Sequence, residues 1–256
     1  MRIYDQPSVY SHLRGNRDDV GVQGVCGGAI RYDIKPAGGW AMLKYEQHVP
    51  GGAADGAPLV VLLHGRGSDR FDLLGLADAL APDAVVVTPE APHSGQPWGY
   101  GPGWAWYRFL GRNVPEPESF EQSQQALGEF LAAVRGELPV RTGPLVLGGF
   151  SQGGVMSMAY ALRNPGAAPA VLNFSGFLAQ HPTVNPTPQS VAGTRFFWGH
   201  GTMDPQIPFE LAIEGRARLS QAGADLITRD YPIGHGISPG EADDAREWIA
   251  AAVAPG

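Results

Sequence analysis

A serine stands in a glycine-flanked segment in the middle of the chain. Gly149, Ser151 and Gly153 form the pattern G-x-S-x-G, directly after the apolar run 144–148 and before a helical pattern over 155–162. Very small residues at these positions suit a sharp strand-to-helix turn that exposes the serine hydroxyl, and the helix behind it points N–H groups at developing negative charge. A glycine-rich turn with a chance serine is the alternative, because the bare pattern is common. The flanking strand and helix favour a nucleophile.

The serine needs a base, because an isolated hydroxyl is a weak nucleophile. After a nucleophile of this kind the order along the chain is serine, acid, histidine. Residues 152–203 contain no Asp or Glu, so the first carboxylate after the serine is Asp204, in a loop after an apolar run. His235 follows beyond one more predicted strand and stands between two glycines, which indicates a tight loop. We predict the catalytic set Ser151, Asp204 and His235, with Asp230 as the alternative acid.

A second glycine-rich loop, LHGRGSD over residues 63–69, follows an early apolar run. Such a loop donates a backbone N–H to the oxyanion of an acyl-transfer intermediate. We therefore predict the backbone N–H groups of Arg66 and Gln152 as the oxyanion hole. His64 precedes the nucleophile, so it is predicted to hold this loop by hydrogen bonding rather than to act as the base.

Aromatic residues concentrate on a Gly/Pro-rich stretch between positions 92 and 110. They indicate either an apolar wall for a substrate or a cluster that packs against the body of the protein. The side chains predicted to form such a wall are Trp98, Trp104, Trp106, Phe150, Phe177 and Phe209. Arg66 and Arg108 are candidates to attract a carboxylate on the substrate.

The segments around these residues alternate between strand and helix patterns. Short unbroken apolar runs are typical of strands covered on both faces of a parallel sheet. They occur at 59–63, 84–87, 144–149, 170–174, 195–199 and 224–231. The alternation predicts an α/β fold: a mostly parallel, doubly wound sheet with helices on both faces. Catalytic groups in such sheets lie beyond the carboxyl ends of the strands.

The N-terminal region has a different pattern. Two β-type runs, 25–34 and 40–49, flank a Pro/Gly turn and predict an antiparallel hairpin at the edge of the sheet. We predict a single domain over residues 1–256, in which 1–55 form an N-terminal extension with this edge hairpin and 59–256 form the catalytic core.

Two helix starts are predicted from capping patterns. Ser119 with Gln122 is predicted to cap a long amphipathic helix. Ser238 is predicted to be the N-cap of the last helix, with Pro239 as its first residue and Glu241 reaching back to the cap.

Composition narrows the class of protein. The formal charge of −7 argues against nucleic acid and anionic membranes as partners. The single cysteine, Cys26, excludes an internal disulfide and a cysteine-cluster metal site. No apolar run is long enough to span a bilayer or to act as a secretory signal, so we predict a cytoplasmic protein.

Four segments together resemble the phospholipase/carboxylesterase family of α/β-hydrolases, which includes the acyl-protein thioesterases. They are LLHGRGSD (62–69), GGFSQGG (148–154), GTMDPQIP (201–208) and YPIGHGIS (231–238), in family order over roughly 59–256. The resemblance implies an α/β-hydrolase fold without a large lid domain, no metal or organic cofactor, and hydrolysis of small-molecule carboxylic esters or thioesters. Dimers are frequent in that family, so a homodimer is an open alternative.

The chain also departs from the family pattern. The family usually has an aliphatic residue at the position of Arg66, and a family Trp-Tyr/Phe-Asp segment reads here as Trp106-Tyr107-Arg108. We expect a serine hydrolase that cleaves carboxylic esters through an acyl-enzyme on Ser151. Thioesterase, lysophospholipase-type or lactone hydrolysis on the same residues is the alternative. A binding protein that has lost catalysis on the same scaffold is a third hypothesis.

Overall fold

The structure, a computed structural model, describes residues 42–254. Most of the predicted N-terminal hairpin, with Cys26, lies outside the described residues. The end of its second run forms a strand, Tyr45–His48, which pairs antiparallel with Val85–Pro89 at one edge of the central sheet.

The central sheet has seven strands. They are β1 (Tyr45–His48), β2 (Leu59–Leu63), β3 (Val85–Pro89), β8 (Leu145–Phe150), β9 (Ala170–Phe174), β10 (Arg195–Gly201) and β11 (Asp225–Tyr231). Four short strands pair outside this sheet: β4 (His93–Ser94) with β5 (Trp104–Ala105), and β6 (Phe109–Gly111) with β7 (Val114–Pro115). The sheet order is β1-β3-β2-β8-β9-β10-β11, and every pair except β1–β3 is parallel.

Helices cover both faces of the sheet. They are α1 (Ala77–Leu80), α2 (Pro117–Val134), α3 (Gln152–Arg163), α4 (Phe209–Gln221) and α5 (Pro239–Val253), with short 3-10 helices at Leu74–Leu76 and Gln96–Trp98. One apolar cluster packs α2, α3 and α4 on one face, and a second packs α1 and α5 on the other. The predicted fold is therefore confirmed. Within residues 42–254, no helix has the length and apolar character needed to cross a bilayer.

Burial explains why the apolar runs predict strands so well. Strands β2, β3, β8 and β9 are buried at every residue. The last strand, β11, lies at the sheet edge, and most of its residues are exposed. The run that predicts β11 is accordingly the most polar of the six predicted runs, because β11 has one neighbouring strand and is covered over only part of one face.

One predicted helix start is confirmed and one is wrong. The backbone N–H of Glu241 donates to Oγ of Ser238 (3.1 Å), as expected for an N-cap at α5. The carboxyl group of Glu241 lies close enough to the Ser238 backbone for that backbone to lower its pKa, although neither oxygen makes a hydrogen bond of ordinary geometry. Helix α2 begins two residues before Ser119, at Pro117. Proline favours the first helical position, so the helix starts ahead of Ser119. The hydroxyl of Ser119 donates instead to the carboxylate of Glu116 (2.9 Å).

Candidate active site

Ser151 lies on the sharp turn between β8 and α3. Its backbone adopts φ 53° and ψ −116°, a left-handed conformation that costs a non-glycine residue about 1–3 kcal/mol. Two hydrogen bonds hold the turn: the N–H of Ser151 donates to the carbonyl of Phe174 (2.8 Å), and the N–H of Val155 donates to the carbonyl of Ser151 (3.1 Å). The sheet on one side and the helix on the other therefore fix the serine.

The flanking glycines make this turn sterically accessible. A Cβ on Gly149 would lie 2.6 Å from the backbone carbon of Gly153. A Cβ on Gly153 would collide with the backbone carbonyl of Leu63 on the neighbouring strand β2. Real Cβ atoms do not approach backbone this closely, so the G-x-S-x-G spacing follows from packing around the turn.

His235 and Asp204 form a short hydrogen bond. Nδ1 of His235 donates to Oδ2 of Asp204 at 2.6 Å, and Oδ1 of Asp204 accepts the backbone N–H groups of Gln206 (2.8 Å) and Ile207 (2.9 Å). Burial by itself would raise the pKa of Asp204, but the hydrogen bond from His235, its charge and the two N–H groups hold that pKa below its ordinary value. An ionised aspartate at Nδ1 orients the imidazole and leaves Nε2 to accept a proton.

The alternative acid is placed elsewhere. Asp230 pairs with Nη1 of Arg216 at 2.5 Å, and the same guanidinium donates to the carbonyl of Trp198 (2.9 Å). Asp204 is thus the carboxylate in contact with His235, as the chain order predicts.

The predicted set converges on one edge of the sheet. Ser151, Asp204 and His235 follow the carboxyl ends of β8, β10 and β11, which run in the same direction. The ring of Phe150, directly before the serine, packs on the imidazole of His235 with 4.7 Å between ring centroids. The residue directly before the serine is therefore in contact with the predicted base.

A second histidine, which sequence reasoning did not assign to the site, supports the acid. His200 is fully buried at the end of β10, and its Nε2 donates to the carbonyl of Ile207 (3.0 Å) while lying 3.6 Å from Oδ2 of Asp204. Burial lowers the pKa of His200, which favours a neutral ring. His200 thus fixes the same segment, at Ile207, whose N–H binds Asp204. The sequence offered one signal for a role of His200, its position four residues before the predicted acid Asp204.

The predicted oxyanion loop lies against Ser151. A Cβ on Gly65 would be 3.6 Å from Cβ of Ser151, so the loop passes directly beside the serine. His64 behaves as expected: its Nε2 accepts the N–H of Ala91 (3.0 Å), and Nδ1 donates to the carbonyl of Gly65 (2.7 Å). Burial lowers the pKa of His64 to about 4, so it stays neutral and holds the loop.

Gln152 contributes more than its backbone. It begins α3, in the first turn, where N–H groups have no acceptor within the helix. Its side-chain carbonyl accepts the N–H of Trp106 (3.1 Å), and its amide donates to the carbonyl of Tyr107 (2.9 Å). The buried side chain therefore ties the aromatic stretch to the nucleophile turn. Sequence reasoning missed this role, since nothing in the local pattern shows which distant backbone a glutamine will bind.

The predicted aromatic wall is only partly available to a substrate. Trp106 is fully buried in the core, and its indole N–H donates to the carbonyl of His64 (3.0 Å), so it does not line an open surface. This corrects the prediction: the indole supports the loop from behind. Phe150 and Phe177 are buried, and the half-buried members of the predicted wall are Trp98, Trp104 and Phe209.

This arrangement is suited to nucleophilic chemistry. It combines a strained, fixed serine, a histidine held by an ionised aspartate, and helix N–H groups beside them. Residues 42–254 contain no group of three or more His, Cys, Asp or Glu side chains placed to bind a metal ion.

Comparisons with known proteins agree with the fold. The sequence profile described as Phospholipase/Carboxylesterase matches residues 46–253. A probable carboxylesterase of Oryza sativa subsp. japonica is 29% identical over 214 residues, 77% of this chain and 89% of that protein. Acyl-protein thioesterase 1 of Emericella nidulans is 24% identical over 210 residues, 74% of this chain and 88% of that protein.

A solved structure extends the likeness to three dimensions. The Bacillus cereus carboxylesterase has a TM-score of 0.68 at 22% identity and covers 82% of this chain and 95% of its own, which shows the shared fold. The family profile spans most of the chain and contains Ser151, Asp204 and His235. The chain belongs to the phospholipase/carboxylesterase family of α/β-hydrolases.

Proposed function

We propose that this chain is a serine hydrolase that cleaves carboxylic esters through an acyl-enzyme on Ser151. His235 takes the proton of the serine hydroxyl as it attacks the carbonyl carbon, and Asp204 stabilises the imidazolium that forms. The same histidine then protonates the departing alcohol. Water, with His235 again as the base, releases the acid and restores the serine.

The backbone N–H groups of Arg66 and Gln152 form the oxyanion hole in this mechanism. Gln152 supplies an unpaired N–H from the first turn of α3, and the loop that carries Arg66 passes beside the serine. Two such donors strengthen their bonds as charge develops on the carbonyl oxygen. The Gln152 side chain binds the backbone of Trp106, and the indole of Trp106 binds the His64 carbonyl, so a chain of hydrogen bonds connects the two parts of the hole.

One observation carries the proposal: the 2.6 Å bond between His235 and Asp204 is joined, through the ring of Phe150 on His235, to the residue that precedes a serine held at positive φ. A binding protein on this scaffold has no need for a strained serine together with an oriented imidazole. The relatives named as carboxylesterases support ester hydrolysis as the reaction.

The test is labelling and turnover in a matched pair of variants. The parent protein should react stoichiometrically with a fluorophosphonate probe and hydrolyse p-nitrophenyl butyrate. Ser151→Ala should lose both, while Ser220→Ala, at an exposed serine on α4, should retain both. Equal labelling of the parent and Ser151→Ala, or absence of any labelling in a folded parent, would contradict the proposal.

Thioester hydrolysis is the second candidate, because a relative carries the name acyl-protein thioesterase. A thiolate leaves more readily than an alkoxide, so the same residues serve both reactions. The ratio of kcat/KM for S-butyryl and O-butyryl substrates with matched leaving groups measures the preference. A ratio above one would assign thioesters as the better substrates, provided that Ser151→Ala loses both activities.

A further inference from the structure

The side chain of Arg66 is held on aromatic rings at the mouth of the site. Its guanidinium carbon lies 4.8 Å from the ring centre of Tyr100 and 5.9 Å from that of Phe109. Stacking of this kind fixes the plane of the guanidinium while its N–H groups remain free at the edges. The residue is exposed, so these donors face solvent.

No anion neutralises this charge within residues 42–254. No carboxylate there lies within 4.0 Å of Arg66, and none of its N–H groups has an acceptor. Two other arginines on the same stretch of surface do have partners: Arg108 is 3.6 Å from Glu116, and Arg112 is 2.6 Å from Glu214. Arg66 is thus the available cation beside the proposed oxyanion loop.

The nearby phenol does not supply the missing negative charge. Burial raises the pKa of Tyr107, and the positive charge of Arg66 opposes this rise only in part. Tyr107 therefore stays a neutral phenol over the range in which enzymes are assayed. The guanidinium is therefore a local cation without a carboxylate partner among residues 42–254, in a protein whose formal charge of −7 would otherwise repel an anionic substrate.

The position of the guanidinium relative to the serine follows from three contacts. Gly65, the preceding residue, lies beside Ser151, since its Cβ would be 3.6 Å from that of the serine. Phe109, under the guanidinium, packs on Phe177 with 6.2 Å between ring centroids. Gly176, the neighbour of Phe177, lies close to Ser151 as well, because its Cβ would be 3.1 Å from the serine carbonyl. The charge therefore lies on the same side of the site as the nucleophile.

We infer that Arg66 selects esters that carry a carboxylate a few bonds from the scissile carbonyl. Half-esters of dicarboxylic acids and esters of hydroxy acids are the two forms of this class. The guanidinium binds the carboxylate through its free N–H edge while the ester lies at Ser151. This inference rests on the proposed function and names its substrate class.

The experiment compares charged and neutral esters of equal length. Monomethyl glutarate is paired with methyl pentanoate, which places the charge on the acyl part. The acetate ester of 4-hydroxybutanoate is paired with butyl acetate, which places it on the alcohol part. The readout is the ratio of kcat/KM for the charged ester to that for the neutral ester, measured by acid release at constant ionic strength.

The parent should prefer the charged member of at least one pair. Arg66→Met should lower that ratio about tenfold, the effect of losing one charge-assisted contact at a partly screened position. Arg66→Lys should restore part of it, and added KCl should weaken the preference in the parent. Arg112→Met removes an arginine held 2.6 Å from Glu214 and should leave the ratio unchanged.

Two outcomes separate this inference from the proposed function. Ester hydrolysis that depends on Ser151, with ratios unmoved by Arg66→Met or with no preference for either charged ester, would overturn the inference alone. Hydrolysis of the neutral esters that persists in Ser151→Ala would overturn the proposed function, and the inference with it.

Discussion

Glu241 is a buried acid in the first turn of α5, and replacing it tests the electrostatics of the fold. Its side chain is fully buried, and neither carboxyl oxygen makes a hydrogen bond of ordinary geometry within residues 42–254. Gly199 on β10 leaves room for the Glu241 carboxyl group, since a Cβ at residue 199 would collide with Oε1 of Glu241. Burial raises the pKa of Glu241 to about 8 and Asp244 adds to the rise, while the Ser238 backbone and the Arg216 charge oppose it only in part.

The sign of the effect on stability follows from where the proton is bound. In the unfolded chain the carboxyl titrates at its ordinary pKa of 4.5. Between that value and about 8 the folded protein keeps a proton that the unfolded chain has lost, so stability falls as pH rises. The whole interval corresponds to about 5 kcal/mol, and the part between about pH 5.5 and about pH 8 to roughly 3 kcal/mol. The contribution of Glu241 to the free energy of unfolding is therefore greatest at acid pH and is lost by about pH 8.

Glu241→Gln should remove this dependence, because an amide does not titrate. We expect the free energy of unfolding of the variant, relative to the parent, to rise by roughly 3 kcal/mol from about pH 5.5 to about pH 8. Urea unfolding followed by circular dichroism at several pH values measures it. Glu247→Gln, at an exposed glutamate of the same helix, is the matched control and should show no such change. A constant difference between parent and Glu241→Gln across this range would refute the reasoning.

Three further predictions concern the site. Asp204→Asn should lower kcat/KM for p-nitrophenyl butyrate roughly 10³–10⁴-fold by losing the oriented imidazole, whereas Asp230→Asn should stay close to the parent. Gly153→Ala should destabilise the protein by more than about 3 kcal/mol in the same urea assay, because the added Cβ meets the backbone of β2. The control Gly75→Ala has open space around its Cβ and should change the free energy of unfolding by less than about 1 kcal/mol. His200→Phe should lower kcat about tenfold, a loss of about 1.4 kcal/mol, with little change in KM. An equal rise in KM would assign His200 to substrate binding instead.

Local sequence determined the strands and the order of the site residues. Runs such as 59–63 and 170–174 are apolar at every position because both faces of these strands are covered, and all of the predicted runs form strands of the central sheet. The glycines around Ser151 are visible in the sequence because a turn with positive φ tolerates no larger neighbour. The sequence made Asp204 the leading candidate for the acid, since residues 152–203 contain no carboxylate, and left Asp230 as the alternative.

Tertiary packing decided which polar and aromatic groups became buried. Trp106 and Glu241 occupy segments that look exposed in sequence, yet both are fully buried. The side chain of Gln152 and the ring of His200 bind backbone groups of loops that only the fold brings near. Sequence patterns report a residue's own strand or helix, whereas burial and hydrogen-bond partners depend on which distant segments come to lie over it. Local sequence therefore predicts the candidate nucleophile and the sheet, and the assembled core decides how the surrounding groups are charged, held and exposed.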